Sequence, residues 1–222
     1  MSIVELFQAG GIVMVPLLIF SVAAIALSVE RIIFWLRVSR NQRQVVKDIL
    51  QTYRANPPEA FERLRKHLDL PMARIFLEAL ELQGASPSQF RLALEGATQA
   101  ELPLLKRFNT VFQTIIAVSP LLGLLGTILG LIRSFATIQI GEIGSNAEAV
   151  TGGISEALVS TAAGMVVAIF TLMAASLFRG LYKRQVALLQ EYGSQLEILY
   201  EWHYRETVQG SEAAEGSYAR VG

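Results

Sequence analysis

The sequence predicts an all-α membrane protein with three transmembrane helices, the second and third of which extend into a cytoplasmic helical bundle. Three observations predict this class. Of 222 residues, 52% are hydrophobic and only 17% are charged, a balance typical of membrane proteins. Three windows free of charge, 6–29, 108–132 and 157–178, are each long enough to cross a bilayer core, which takes roughly 20 residues. Apolar residues at helical spacing precede the second window and follow the third.

The first window could instead be a cleavable signal peptide. It has no basic n-region, it is too long, and no A-x-A-like cleavage site stands out before Glu30. We therefore predict a short outside segment over 1–10 and a first transmembrane helix over 11–35. Phe34 and Trp35, followed by arginines, form an interfacial anchor at its end.

Residues 36–107 are predicted to form a cytoplasmic helical domain. The Asn-Pro-Pro run at 56–58 interrupts one helical pattern. Pro71 can begin a further helix, which Gly84 is expected to end. The sequence from Ser86, Ser-Pro-Ser-Gln, then forms a capping box with proline in the first helical position.

The second transmembrane helix is predicted over 108–134. No strong stop signal separates it from the capping box, so we expect one helix of about 50 residues, about 75 Å long at 1.5 Å per residue. Pro103 and Pro120 are expected to bend this helix rather than end it, because helix-forming residues continue on both sides.

The rest of the chain is divided by composition. A polar, glycine-rich outside loop is predicted over 135–153 and the third transmembrane helix over 154–178. An amphipathic cytoplasmic extension follows over 179–206. The polar tail over 207–222 is expected to be disordered.

Basic residues set the orientation. Of the 19 Lys and Arg residues, thirteen lie between the first two windows, one between the last two and five after the third. By the positive-inside rule the N-terminus is outside, in the periplasm, and the C-terminus is in the cytoplasm. Apolar stripes on the cytoplasmic helices have little to cover them in a monomer, so we expect a homo-oligomer embedded in a lipid bilayer.

Several functional classes lack support. The chain has no cysteine, and we expect a surface or interface role for its histidines, His67 and His203, rather than a metal site. No P-loop, catalytic triad or HExxH motif occurs, so neither an enzyme nor a cofactor is expected. Zero net charge gives no indication of a nucleic-acid partner.

The two aspartates, Asp48 and Asp69, lie outside the windows, and no acid or histidine lies inside one. A partner must therefore bring any mid-membrane proton carrier.

Glycine and hydroxyl residues inside the second window can serve either close packing or a polar path. Gly126 and Gly130 form a small-xxx-small pair one turn after Gly123, which favours helix packing. Thr127 and Ser134 are seven residues apart and so share a stripe. Such a stripe of polar groups suggests a face that meets water or a partner.

The third window repeats this mixture. Ser160 and Thr161 lie beside the packing candidate Gly164 on one broad face of small and polar residues. Glu156, at the edge of the window, could be merely interfacial. Beside a stripe of hydroxyls, we favour its position at a polar lumen.

Taken together, the sequences GLLGTILGLI from Gly123 and GISEALVSTAAG from Gly153 resemble the MotA/TolQ/ExbB proton-channel family, most closely its ExbB branch. The likeness covers nearly the whole chain. It implies an all-helical homopentamer in the bacterial inner membrane, enclosing the transmembrane helices of an ExbD dimer whose aspartate carries protons. Proton flow would then drive motion that a TonB protein passes to outer-membrane receptors.

The resemblance also implies roles for single residues. Thr127 and Thr161 match the family's lumen threonines, which face the partner's aspartate, and Glu156 matches its membrane-edge glutamate. The N-terminal segment is shorter than in some ExbB proteins, which leaves a TolQ-like or gliding motor as an alternative. A purely structural membrane scaffold, in which the glycine faces only pack, is the alternative from another class.

Overall fold

The computed structural model describes residues 10–82, 84–138 and 146–218. In these ranges the chain folds into helices and contains no strand, and three of the helices are long and apolar enough to cross a membrane. The all-α membrane class is therefore confirmed. The helices are α1 Met14–Ala55, α2 Pro57–Lys66, α3 Pro71–Leu80, α4 Pro87–Leu105, α5 Asn109–Ile138 and α6 Asn146–Tyr218.

The chain divides into two compact units. The first unit comprises Met1–Ile32 and Arg107–Gly180, and the second comprises Ile33–Lys106 and Leu181–Gly222. All three charge-free windows fall in the first unit. Helices α1 and α6 each contribute residues to both.

The first unit buries small side chains and exposes large apolar ones. Its buried positions on α5 and α6 are mostly Gly, Ala and Ser, among them Ser119 and Ser160, both 0% exposed. Large residues such as Leu121, Leu158 and Val166 are 62–66% exposed. This is the reverse of a soluble core and suits helices that pack through small residues within lipid.

The second unit has an ordinary apolar core. Seven of the ten residues of α3 are buried, and α3 packs against α2 and α4. Tyr200 of α6 stacks on Phe90 of α4, with ring centroids 3.9 Å apart, and donates its hydroxyl to the Ala85 carbonyl at 2.8 Å. The capping box between Ser86 and Gln89 is present, as the sequence predicts.

Histidine and tyrosine link α1 to α6 in the second unit. His203 Nε2 lies 3.0 Å from the Tyr53 carbonyl oxygen, and its ring meets the Tyr53 ring edge-on. Burial, with a smaller effect of Tyr200, raises the pKa of Tyr53 to about 12. Within the described part of the chain no three metal-ligating side chains cluster.

The predicted helix of about 50 residues corresponds to Pro87–Ala136, but a turn after Leu105 interrupts it. Helix α4 ends at Leu105 and α5 begins at Asn109. Pro103 and Pro120 do lie inside helices, and the break instead centres on Phe108, whose φ is 66°. Such a turn is normally signalled by glycine. Here the guanidinium groups of Arg31 and Arg107 lie 5.7 and 4.6 Å from the centroid of the Phe108 ring and help hold it in place.

The predicted loop over 135–153 is also too long. Helix α5 continues to Ile138 and α6 begins at Asn146, so only 139–145 can belong to the loop, and these residues lie outside the described ranges. Gly152 and Gly153 had indicated a loop. In the structure both glycines are helical, and Gly153 lies at the contact between α5 and α6.

The tail differs from the expectation of disorder as well. Helix α6 continues past Glu206 to Tyr218. The Thr207 hydroxyl donates to the His203 carbonyl within the helix. Residues 219–222, and 1–9 of the predicted outside segment, lie outside the described ranges.

Replacing Arg74 with alanine is expected to loosen the second unit. Arg74 donates two bonds to the Glu101 carboxylate, at 2.6 and 2.8 Å, and a third to the Leu68 carbonyl. The Glu101 side chain is only 10% exposed, so Arg74→Ala leaves a buried charge without its partner, which costs about 3 kcal/mol. Hydrogen exchange of α3 should accelerate about 100-fold. Arg65→Ala, which removes an exposed pair with Glu62, is the control and should change exchange by less than about fivefold. Equal effects of the two changes would contradict the prediction.

Candidate functional site

Helices α5 and α6 run antiparallel and approach closely through glycine. A Cβ on Gly164 would lie 2.5 Å from the Ser119 carbonyl oxygen, and one on Gly130 would lie 2.7 Å from the Gly153 carbonyl oxygen. A Cβ on Gly123 would lie 3.0 Å from the Cα of Thr161. These neighbours are backbone atoms, which cannot rotate away, so only glycine permits this separation.

Gly126 faces a side chain rather than backbone. A Cβ at this position would overlap the hydroxymethyl group of Ser160. The structure thus brings all four glycines that the sequence singled out for packing to the contact between α5 and α6. Gly153 is a fifth, facing Ser134 across the same contact.

The two threonines meet in the middle of this contact. The Oγ1 atoms of Thr127 and Thr161 are hydrogen-bonded to each other. Thr127 Oγ1 also lies 3.1 Å from the Ala157 carbonyl oxygen, and Thr161 Oγ1 lies 3.1 Å from that of Gly123. Each hydroxyl has one proton to donate, so one threonine can donate to its partner while the other donates to a carbonyl. Both side chains are half-buried.

The two serines that we expected at a lumen lie deeper. Ser160 is 0% exposed and donates to the Ala157 carbonyl at 2.9 Å, and Ser134 is 2% exposed and donates to the Gly130 carbonyl at 3.1 Å. Their small side chains let α5 and α6 close over them. Within this chain they are packing residues at the helix contact, not surface residues.

Glu156 forms a separate group with a residue that sequence reasoning missed. Arg133 NH1 donates to Glu156 Oε1 at 2.7 Å, and the Glu156 side chain is 20% exposed. Gly11, with φ 70°, passes so close over the carboxylate that a side chain at 11 would overlap it. Arg133 and Glu156 each border a charge-free window, and an antiparallel pair of helices puts those borders at the same end. That signal was available in the sequence.

The threonine pair and the ion pair face different sides of the helix pair. Glu156 and Thr161 are five residues apart, which is about 140° around a helix. Helix α1 covers one side: Val13, Met14 and Leu17 form a cluster on which Leu122, Leu129 and Ala163 pack. Gly11 at the start of the chain's described part lies on Glu156. The threonines occupy the other edge, which α1 leaves open.

Comparison with known proteins shows the family to which this chain belongs. The family model described as the MotA/TolQ/ExbB proton channel family matches residues 67–191, a range that includes α5, both threonines and Glu156. The chain belongs to the MotA/TolQ/ExbB proton channel family.

Individual relatives within the family agree. The chain is 64% identical over 194 residues to a biopolymer transport protein ExbB-like 3 of Synechocystis sp., covering 87% of this chain and 92% of the relative. It is 42% identical over 196 residues to an ExbB-like 1 protein of the same organism, covering 87% and 77%. It is 30% identical over 194 residues to the biopolymer transport protein ExbB of Neisseria meningitidis serogroup A, covering 78% and 86%.

The family's description can be compared with the chemical groups that this site provides. The chain is a multi-pass membrane protein of a proton-channel family, and that family is not a known class of enzymes. Hydroxyls and carbonyls at the Thr127–Thr161 contact can hydrogen-bond a polar group. They do not titrate near neutral pH.

Proposed function

We propose that this chain is a ring-forming subunit of a proton-motive-force-driven motor in the bacterial inner membrane. With an ExbD-like single-span partner, it energises TonB-dependent transport across the outer membrane. Membership of the proton channel family supports the use of protons. The relatives that are named biopolymer transport proteins ExbB favour a TonB-linked over a Tol-linked system.

The observation that carries this proposal is the Thr127–Thr161 hydroxyl pair on an open edge of two membrane helices. The charge-free windows of this chain contain no acid or histidine. A hydroxyl can line a polar path but cannot hold a proton at neutral pH. The aspartate of an ExbD-like partner, set against this edge, would supply the missing proton-binding group.

The exposed apolar surface beside the threonines supports a ring. Leu158 and Met165 are 66% and 55% exposed, and they lie on the same open side of α6 as Thr161. Copies of the chain that place this side inward, with lipid against the remaining apolar faces, would enclose a partner. We propose a homopentamer with the N-terminus in the periplasm and the C-terminus in the cytoplasm, as the distribution of basic residues predicts.

Removing either threonine hydroxyl is expected to stop proton flow. Thr127→Val and Thr161→Val keep the side-chain shape, so the ring measured by native mass spectrometry should persist. Proton flux in liposomes that contain the chain and its single-span partner should fall at least about tenfold. This fall corresponds to a free-energy barrier for proton transfer that is higher by roughly 1.4 kcal/mol or more.

Thr171→Val is the matched control. Thr171 is a 0% exposed threonine of α6 that bonds the Val167 carbonyl of its own helix, so its hydroxyl should be dispensable for flux. Full flux in both Thr127→Val and Thr161→Val would contradict the proposal. If the unmodified complex carries no proton flux, the result would favour the purely structural scaffold over a proton-driven motor.

A further inference from the structure

A small cavity in the second unit lies between α1 and α6. Its volume is about 60 Å³, several times the roughly 15 Å³ that one water needs. One face of each helix lines it, at helical spacing. The lining residues are Trp35, Val38, Ser39, Gln42 and Arg43 of α1, and Leu181, Arg184, Gln185 and Leu188 of α6.

Two lining residues have buried hydrogen-bond donors without an acceptor. Trp35 is 4% exposed and Gln42 is 2% exposed, and neither the indole Nε1 nor the amide Nε2 has a partner. Gln185 Nε2 donates to Gln42 Oε1 at 3.0 Å, which occupies the amide oxygen and leaves the nitrogen. Because nearly all buried donors in folded proteins are paired, these two donors require acceptors inside the cavity, which water or a bound ligand supplies.

Charge at the cavity points to the class of ligand. Arg43 and Arg184 are exposed residues of the lining, and Ser39 adds a hydroxyl. None of the nine lining residues, all within the described part of the chain, is Asp or Glu. A group that is rich in acceptors and negatively charged satisfies both the buried donors and the guanidinium groups, and phosphate fits such groups through several bonds at once.

The cavity lies just beyond the apolar windows in sequence. Trp35 lies shortly after Val29, where the first window ends, and Leu181 lies shortly after Phe178, where the third window ends. Tryptophan and arginine at such positions are typical of the interface where phospholipid headgroups lie.

We propose that this cavity binds a phosphate group, held by Trp35 and Gln42 at its floor and by Arg43 and Arg184 at its rim. The group can come from the headgroup of an anionic phospholipid or from free phosphate. Bound there, it bridges α1 and α6. This site is independent of the threonine pair and of proton transfer.

Trp35 itself can report binding. The chain has two tryptophans, so Trp202→Phe leaves Trp35 as the single indole fluorophore of the full-length protein in detergent. We expect dioctanoyl phosphatidylglycerol to change its emission saturably and dioctanoylglycerol, which lacks the phosphate, to leave it unchanged. Saturation by inorganic phosphate as well supports a site open to free phosphate, and saturation by the lipid alone supports a headgroup site.

Paired substitutions separate the site from general basic charge. In the Trp202→Phe background, Arg43→Gln with Arg184→Gln should weaken binding at least about tenfold. Arg37→Gln with Arg40→Gln removes the same total charge, from exposed positions of α1 close to Arg43 but outside the cavity lining, and should change affinity less than about twofold. Far-UV circular dichroism verifies that both variants are folded. No response to either phosphate source, or equal weakening by the two pairs, would overturn the proposal.

Discussion

Replacing Gly164 with valine is expected to prevent α5 and α6 from packing. A Cβ there would lie 2.5 Å from the Ser119 carbonyl oxygen and 3.2 Å from the backbone nitrogen of Gly123. These are backbone atoms of a membrane helix, so the helices must separate, and the close contacts around them are lost. We expect more than about 3 kcal/mol of destabilisation. The yield of monodisperse protein in detergent, and its melting temperature, measure this loss.

Gly180→Val is the matched control for that change. Gly180 lies on the same helix, and a Cβ there would meet no atom within 4 Å. Valine has a higher helix propensity than glycine, so this variant should be at least as stable as the unmodified chain. Equal yield and melting temperature for the two variants would show that the α5–α6 contact does not require glycine.

The sequence was sufficient to predict the features that depend on local chemistry. Three charge-free windows predicted three membrane helices, and Ser86 followed by Pro87 predicted a helix start that the structure has. The four glycines predicted to serve helix packing, two of them from small-xxx-small spacing, lie at the helix contact. In each case the residues that form the feature are neighbours in sequence or lie on one helix face.

Features that depend on tertiary contacts were missed. The turn at Phe108 has no glycine, and its positive φ is accompanied by cation–π contacts from Arg31, which lies on α1, and from Arg107. Gly153 was assigned to a loop because the partner helix that requires it is not visible in local sequence. The Arg133–Glu156 pair also joins two helices, although both residues border charge-free windows and the sequence did offer that signal. The residue pattern of one helix shows which side chains share a face, but it does not show which residues of another helix they contact.

In the proposed motor, the edge carrying Thr127 and Thr161 faces the partner's proton-binding aspartate. The chain contains no cysteine, so single cysteines can be introduced without background. Thr161→Cys, combined with cysteine in place of that aspartate in the co-expressed partner, is expected to give a disulfide-linked product under mild oxidation, because the two side chains would lie within bridging distance.

Val166→Cys is the control for this experiment. Val166 is 66% exposed and lies about 140° around α6 from Thr161, on the side that we assign to lipid. We predict a strong cross-link to the partner from Thr161→Cys and none from Val166→Cys. Cross-linking through Val166→Cys but not through Thr161→Cys would contradict the placement of the threonine edge against the partner.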